Sequence, residues 1–460
     1  NNNSINTINT PISDGQIGIE NLILTTDDYY ENNPEAIQYE GIYNLGQDDT
    51  NNMVQVITGT SANNTYSSNI DAGSYWYKFS DHSDYYSGNN SVLGSGYPYD
   101  QTELDSRVYF TKEGNDTLSI TNNTDTQYIA NMGDGDDTVQ MPSYNTIEEG
   151  SFFDGNDGTD SLDFFDGNDH LAFNNDNYND ALLETTSTIL SEEGNATNVD
   201  SSDHAYFKNF EEIQLGFGND TVFFAGDPDN NIEILGESGD DAFTFNHTLT
   251  KNVTATGGNG VDVFNINKSP DTGILTLEGG AGNDTYNFTT NISSTISAGG
   301  GFGNDTFSFV SADISGDVTL TASYGDDIYK FHTVNDGTGL TINDYVTTDD
   351  TFSFNSAAFQ GNSGHVLVFG DVVGDEFMPD STFTMLHAYS ETNTAVNDLL
   401  TIDNDYWYYD TTDGYLYYDE TADQHMSDAV TVAKVTDSVG NALDNTEILS
   451  SEIDYFSTST

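Results

Sequence analysis

The sequence predicts an all-β protein: a parallel β-roll or β-helix solenoid with coils of about 21 residues and small β cap regions at both ends. Two observations lead to this prediction. A phrase of glycine and aspartate returns at nearly constant intervals, and apolar residues alternate on either side of it. Because a single coil buries too little apolar surface to fold alone, the coils must stack on one another.

The phrase is most regular between residues 216 and 331, where it occurs six times. Its fixed glycine recurs after 21, 21, 22, 21 and 22 residues, at Gly218, Gly239, Gly260, Gly282, Gly303 and Gly325. Such a period is typical of a solenoid in which each repeat forms one coil.

Apolar residues four and six positions after each fixed glycine predict the first strand of a coil, with both side chains on one face. A second apolar pair, seven and five residues before the next glycine, predicts the facing strand. The first pairs run from Val222 and Phe224 to Tyr329 and Phe331, and the second from Ile232 and Ile234 to Val318 and Leu320.

Two residues after each fixed glycine stands an aspartate, and stacking would place neighbouring carboxylates about 5 Å apart. At that distance two carboxylates repel by ~1 kcal/mol in water and by ~3 kcal/mol at an effective dielectric near 20. A cation would remove this repulsion, and oxygen-only ligands favour calcium. Earlier copies of the phrase extend the candidate metal ligands to Asp116, Asp137, Asp160, Asp169, Asp220, Asp241, Asp262, Asp284, Asp305 and Asp327.

These phrases resemble the GGxGxDxUx repeats of the RTX family, the hemolysin-type calcium-binding β-roll proteins. The nine residues GGAGNDTYN, from Gly279, fit every position. The resemblance implies that calcium, as multiple ions, is held by the aspartates and by turn carbonyls, here those of Gly216, Gly218, Gly280, Gly282, Gly301 and Gly303. Family rolls usually repeat every nine residues, whereas most coils here carry one phrase, so we expect one calcium column.

Changes in the repeat divide the chain into five predicted regions. Residues 1–105 form a region rich in Tyr and Asn, in which Gly73 begins either a metal-free coil or part of a separate β cap. Residues 106–173 form a first calcium-repeat segment, 174–208 an insertion read as a short helix or surface loop, and 209–354 the main solenoid. Residues 355–460 form a C-terminal cap, with a hairpin predicted at Asp413-Gly414.

Further stretches carry the family resemblance beyond the repeats. The phrases GTDSL and NFEEIQL, around the insertion, resemble those of RTX surface-layer proteins and large surface adhesins. The stretch YDTTDGYLYYD resembles the C-terminal cap of type I secreted RTX proteins, and the last residues, IDYFSTST, resemble their uncleaved export signal. The resemblance therefore implies type I secretion.

Composition limits the possible partners. Eight basic and 77 acidic residues give a formal net charge of −69, which excludes nucleic acid or an anionic membrane as a direct partner. The chain has no cysteine, so metal must supply the stabilisation that disulfides give many extracellular proteins. No HExxH or GxSxG phrase is present.

We therefore expect a protein that is not an enzyme: a secreted or cell-surface calcium-binding structural protein. It would self-assemble as a homo-oligomer or polymer into a surface layer, sheath or extracellular filament, with cell-surface polysaccharide as a further partner. Two alternatives remain open. One is an adhesin or carbohydrate-binding RTX protein that uses residues 1–105, and the other is the RTX portion of a secreted hydrolase.

Overall fold

The structure is a computed structural model, and its described residues form strands and turns without any helix. It describes residues 106–120 (without 112), 127–141, 151–173 (without 165–166), 205–355 (without 311–312, 335 and 347–348), 406–419 and 429–443, together with Asn63 and the separate strands named below. The chain divides into two compact units, Asn1–Gly216 and Phe217–Thr460.

In the first unit the described residues form 16 strands. They are β1 (Ser4–Ile5), β2 (Leu24–Thr25), β3 (Met53–Thr58), β4 (Thr65–Ser67), β5 (Tyr75–Lys78), β6 (Ser83–Tyr86), β7 (Ser106–Phe110), β8 (Thr117–Ser119), β9 (Gln127–Asn131), β10 (Thr138–Gln140), β11 (Phe152–Asp154), β12 (Ser161–Asp163), β13 (His170–Phe173), β14 (Ser187–Ile189), β15 (Ala205–Lys208) and β16 (Glu212–Gln214).

Two parallel stacks build the coils of this unit, and each coil gives one strand to each stack. One stack contains β3, β7, β9, β11 and β15, and the other contains β4, β8, β10, β12 and β16. Strands β5 and β6 extend the first stack in the antiparallel sense beside β3, and β14 and β13 do so beside β15.

Two expectations for the first unit are corrected here. The strand after Gly73, β5, is antiparallel to both its neighbours, so it is not part of a parallel coil; Gly73 itself lies outside the described residues. Instead, β3 and β4 form a coil that the repeat did not reveal. In the predicted insertion, Ser187–Ile189 is a strand, where a helix or loop was expected, and most of the remainder lies outside the described residues.

The part of the second unit that the structure describes forms 19 strands. They are β17 (Thr221–Phe224), β18 (Ile232–Leu235), β19 (Ala242–Phe245), β20 (Val253–Asn259), β21 (Val263–Ile266), β22 (Leu275–Ala281), β23 (Thr285–Phe288), β24 (Ile296–Phe302), β25 (Thr306–Phe309), β26 (Val318–Tyr324), β27 (Ile328–Phe331), β28 (Leu340–Asn343), β29 (Thr351–Asn355), β30 (Val366–Val373), β31 (Glu376–Pro379), β32 (Tyr406–Asp410), β33 (Tyr415–Asp419), β34 (Val430–Val435) and β35 (Ile453–Phe456).

The predicted parallel solenoid is confirmed in this unit. The odd-numbered strands β17 to β29 form one parallel stack, closed by β35, and the even-numbered strands β18 to β28 form the facing stack, closed by β34. Within the first stack Phe243, Phe264, Tyr286, Phe307 and Tyr329 are in register, which confirms the alternation of 21- and 22-residue coils.

Small antiparallel additions follow the last coils. The hairpin predicted at Asp413-Gly414 is confirmed: β32 and β33 are antiparallel, and Gly414 has a φ of 80°. Strand β33 continues antiparallel to β34. Strand β35, in the stretch that resembles an export signal, pairs in parallel with β29 and so belongs to the folded stack.

The core of the second unit is the pair of apolar side chains that each strand turns inwards. All the apolar pairs predicted between Val222 and Phe331 are buried. Rings in register stack along the solenoid: the centroids of Phe264 and Tyr286 are 4.8 Å apart, and those of Tyr286 and Phe307 are 4.7 Å apart. Each such ring pair adds about 0.5–1.5 kcal/mol beyond area burial, so the core holds successive coils in register.

Candidate metal centre

The turn that precedes each odd-numbered strand from β17 to β29 is called the acidic turn below. Up to β27 it needs glycine, because successive turns lie directly on one another. Gly282 has a φ of 149°, and a Cβ added there would overlap the carbonyl oxygen of Gly260 in the preceding coil. Two residues earlier the backbone is left-handed in each coil up to β27, and Glu237 and Ser323 accept this conformation where other coils have glycine. The position of Gly282 is therefore the stricter one.

The aspartate of each acidic turn is buried in the interior of the solenoid. Its Oδ1 atom accepts a hydrogen bond from the backbone N–H of the corresponding aspartate in the preceding coil: Asp262 N–H donates to Asp284 Oδ1 at 2.8 Å, and Asp284 N–H donates to Asp305 Oδ1 at 2.8 Å. We call this column the aspartate ladder. In the second unit it comprises Asp220, Asp241, Asp262, Asp284, Asp305, Asp327 and Asp350.

The first unit carries a shorter ladder of the same kind. Asp116 N–H donates to Asp137 Oδ1 at 2.6 Å, and Asp137 N–H donates to Asp160 Oδ1 at 2.9 Å. Glu211 continues the ladder, since its Oε2 accepts the N–H of Asp160 at 2.8 Å. Glu211 was not among the expected ligands, because no glycine phrase precedes it. Its place before Glu212, which pairs with Ser161, identifies it as a member of the ladder.

Asp169 does not join the ladder of Asp116, Asp137 and Asp160, which corrects the expectation of one column. Asp160 lies in the turn before β12, whereas Asp169 lies half a coil later, in the turn before β13, and β13 belongs to the facing stack. The nine-residue spacing between the two phrases produces this change of edge, because half a coil moves the chain from one edge to the other. Asp169 is nevertheless buried.

The second carboxylate oxygen is the unusual feature of the ladders. The Oδ2 atoms of six ladder aspartates are buried, and no group of the described residues donates a hydrogen bond to them. They belong to Asp137, Asp160, Asp241, Asp262, Asp284 and Asp305. A buried carboxylate oxygen without a donor is costly, since it has lost water and gained nothing in return.

Five of the six orphaned oxygens, all except that of Asp137, lie beside the glycine five residues earlier in the chain. At Gly236 an added Cβ would overlap both Asp241 Oδ2 and the carbonyl oxygen of Gly257 in the next coil. At Gly279 it would overlap Asp284 Oδ2 and approach Gly300 O to 2.7 Å. A carboxylate oxygen and a carbonyl oxygen thus converge where the chain has no side chain. Such all-oxygen surroundings fit a hard cation such as calcium.

The converging carbonyls differ from those proposed from the sequence. The carbonyls of Gly218, Gly280 and Gly282 lie against glycines of the next coil, at Gly239, Gly301 and Gly303. The carbonyls beside the orphaned oxygens belong instead to the first residue of the following phrase, as at Gly257, Gly300 and Ala322. Gly216, which was also proposed from the sequence, has a left-handed backbone with a φ of 88°.

Burial raises the pKa of the ladder carboxyls. It raises the pKa of Asp241 to about 7, with a further rise from neighbouring carboxylates, while the hydrogen bond from the Asp220 N–H acts in the opposite direction. The pKa values of Asp137, Asp160, Asp262, Asp305 and Asp350 are also raised to about 7, chiefly by burial. Burial raises the pKa of Asp284 and of Asp327 as well.

A second row of side chains, on the outside of the acidic turns, also accepts backbone N–H groups of the neighbouring coil. Asn219 Oδ1 accepts the N–H of Asp240 at 2.9 Å, and Asn283 Oδ1 accepts the N–H of Asn304 at 2.8 Å. Both asparagine and aspartate occur in this row, because an amide oxygen accepts an N–H as well as a carboxylate does, and the row also contains Val261. The inner position is an aspartate in every coil of the second unit, so hydrogen bonding alone does not explain it.

The last member of the second ladder differs from the others. Both oxygens of Asp350 accept backbone hydrogen bonds, Oδ1 from Asp327 at 3.2 Å and Oδ2 from Val346 at 2.7 Å. Asp350 therefore terminates the ladder without an orphaned oxygen.

Among the described residues, no three His, Cys, Asp or Glu side chains cluster as a metal site. The candidate ligands are instead one carboxylate oxygen per coil and backbone carbonyls. No described helix has the length and apolarity to span a membrane. No family model matches the chain, and no curated protein matches it significantly. The likeness to RTX proteins therefore rests on the phrases themselves.

Proposed function

We propose that this protein is a secreted or cell-surface structural protein whose solenoid is folded and stiffened by calcium. It self-associates into a surface layer, sheath or extracellular filament. The RTX-like phrases support this proposal. A second support is the structure of the second unit, in which coil follows coil in register between residues 217 and 355.

The observation that carries the proposal is the set of orphaned Oδ2 atoms in register. Each can be relieved by a proton or by a cation. A proton leaves a neutral acid, which an asparagine could replace, whereas every inner position of the ladder in the second unit is an aspartate. A cation also removes the repulsion between successive carboxylates. The cation is therefore the better explanation at neutral pH.

Calcium suits these residues better than magnesium. The ladder offers carboxylate and carbonyl oxygens from a backbone that is set by stacking, and calcium accepts six to eight oxygens in flexible geometry. Magnesium requires a stricter octahedron. When bound, calcium supplies the positive charge that the interior of the acidic edge lacks. Asp241, Asp262, Asp284 and Asp305 hold it through Oδ2 and remain fixed through Oδ1.

Calcium removal tests the folding part of the proposal. Because metal-binding free energy becomes folding free energy, the β-sheet circular dichroism of the full chain should collapse in excess chelator at pH 7.5. It should return with calcium and return less with equimolar magnesium. A spectrum and a Tm unchanged by chelation would refute calcium as a folding ligand.

Light scattering of the calcium-loaded chain tests the assembly part separately. The mass should rise with protein concentration beyond that of the monomer. A protein that stays monomeric at high concentration would refute self-assembly while leaving the calcium ladder intact.

A further inference from the structure

Between Asp240 and Asp326, three successive acidic turns of the second unit carry no exposed charged side chain on their outward side, and we call this narrow surface the outer strip. Within residues 257–262, 279–284 and 300–305 the only charged side chains are Asp262, Asp284 and Asp305, and all three are buried. This is unusual in a chain with a net charge of −69. The outer strip consists of Asn259, Val261, Ala281, Asn283, Phe302, Asn304 and Tyr324.

One row of the outer strip is apolar and open to solvent. Phe302 is 63% exposed and Tyr324 is 67% exposed, and their rings stack at a centroid distance of 5.0 Å with 7° between the planes. The next residue of the row is Ala281, in register with Phe302. Because Ala281 is small, the face of the Phe302 ring on that side has no large neighbour in its row. The row thus ends in an accessible aromatic face.

A second row of the outer strip contains two amides, and backbone N–H groups hold both in place by donating hydrogen bonds to them. Asn283 Oδ1 accepts the N–H of Asn304 at 2.8 Å, and Asn304 Oδ1 accepts the N–H of Asp326 at 3.1 Å. Each of these hydrogen bonds orients an amide. The Nδ2 atoms of Asn283 and Asn304 donate to no group of the described residues and are exposed to solvent. The carboxylate of Asp326, at the end of the row, is an exposed acceptor.

We propose that the outer strip binds a neutral polysaccharide. A sugar ring has an apolar face that stacks on an aromatic ring, and hydroxyl groups that accept from amide N–H groups and donate to a carboxylate. The strip offers one accessible ring face, at Phe302, beside amides that follow one another at the coil spacing of about 4.8 Å. One sugar can therefore stack on Phe302 while the next sugars of the same chain meet the amides of successive coils.

A second copy of this chain fits the outer strip less well. Val261, Phe302 and Tyr324 expose on the order of 400 Å² together, since an aromatic side chain buries about 150–250 Å² when fully covered. A stable protein interface needs about 800 Å² from each partner.

This inference goes beyond the proposed structural role and does not require self-assembly. The test uses the full chain in calcium, with microcrystalline cellulose and chitin as neutral probes and alginate as an anionic one. Binding is measured by depletion of protein from the supernatant. We expect saturable binding to at least one neutral glycan and none to alginate. The double variant Phe302→Ser, Tyr324→Ser should bind that glycan at least about tenfold more weakly.

Phe217→Ser is the matched control, because Phe217 occupies the equivalent turn position four coils earlier and is 64% exposed. It should bind as the unsubstituted chain does. Circular dichroism should show the same Tm for all three proteins, since these side chains are on the surface. The proposal is overturned if neither neutral glycan is bound or if the double variant binds equally well. It is also overturned if the substitutions abolish a dimer seen by sedimentation while glycan binding is unaffected or absent.

Discussion

The two edges of the second unit differ in whether the length of the turn varies from coil to coil. From Ile234 to Asp241 the chain takes seven residues, and the same count separates Leu320 from Asp327. The opposite turns vary: Val253 comes eight residues after Phe245, whereas Leu275 comes nine after Ile266. All variation in coil length up to Asp327 therefore occurs on the edge without the ladder.

The polar chemistry of the edges differs in the same way. On the opposite edge Asn231 and Asn252 accept backbone N–H groups at the surface, and Asp227 accepts both the N–H and the hydroxyl of Thr250. Among the described acids of these opposite turns none is buried. Where the acidic turn lengthens to eight residues, between Ile342 and Asp350, the orphaned oxygen disappears. The acidic turn therefore has its constant length of seven residues in the coils whose aspartate has a buried Oδ2 without a donor.

Insertion of one residue should reveal the largest difference between the edges. A glycine inserted between Gly280 and Ala281 should lower the free energy of unfolding in calcium by about 3 kcal/mol or more, because it displaces Asp284 and leaves buried groups unpaired. A glycine inserted between Asn291 and Ile292 should lower it by less than about 1 kcal/mol, because neighbouring coils already have the longer turn. Denaturant unfolding measures both, and equal losses would contradict the comparison.

The pH dependence of the metal-free chain should follow the acidic edge. In the folded chain, burial raises the pKa of carboxyls such as Asp241 and Asp305 from 3.8 to about 7. Their contribution to stability is therefore fully present below about pH 3.8 and is lost as the pH rises through about 7. In chelator the Tm should therefore fall by more than about 5 °C between pH 4 and pH 7.5. In calcium the fall should shrink or reverse. A Tm in chelator that rises over this range would contradict the burial of neutral carboxyls.

The Gly282→Ala substitution tests whether close stacking or backbone strain makes glycine necessary in the acidic turn. The added methyl group would overlap Gly260 O, so we expect a loss of about 3 kcal/mol in the free energy of unfolding. Gly440→Ala is the control, because Gly440 has a φ of 83° and an added Cβ meets nothing within 4 Å. It should lose only about 1 kcal/mol. Similar losses in chemical denaturation would mean that strain, and not stacking, governs the acidic turn.

Asp284→Asn should have a smaller effect that depends on calcium. The amide keeps the acceptor for the Asp262 N–H but removes the negative charge. In calcium the variant should be about 1–2 kcal/mol less stable than the parent, and in chelator it should be equally or more stable. The control Asp271→Asn, on the exposed opposite edge, should change stability by less than about 0.5 kcal/mol in both conditions. An Asp284→Asn protein that gains full calcium stabilisation would remove this residue from the ligand set.

The sequence predicted the coils well because two strong constraints repeat. Alternation of apolar residues around the phrase identified pairs such as Phe264 and Ile266, and burial enforces that alternation in every coil. The coil of β3 and β4 escaped detection because the residue before Thr65 is Asn64, where the residue before its partner Thr117 is Asp116.

Details of the ladder could not be predicted from spacing alone. Asp169 follows a regular phrase, yet the edge on which it lies depends on how many strands separate it from Asp160. Glu211 joins the ladder through register, without any glycine to mark it. The carbonyl of Gly257 approaches Asp241 Oδ2 only because coils stack with their turns superposed. These features depend on contacts between coils, which a single phrase does not encode.

Anomalous diffraction from crystals grown in calcium at neutral pH tests the central claim most directly. Calcium peaks should lie within about 2.3–2.6 Å of the Oδ2 atoms of Asp241, Asp262, Asp284 and Asp305. No peak is expected at Asp350, whose oxygens already accept backbone N–H groups. The same fold without any peak beside those four oxygens would contradict the calcium ladder.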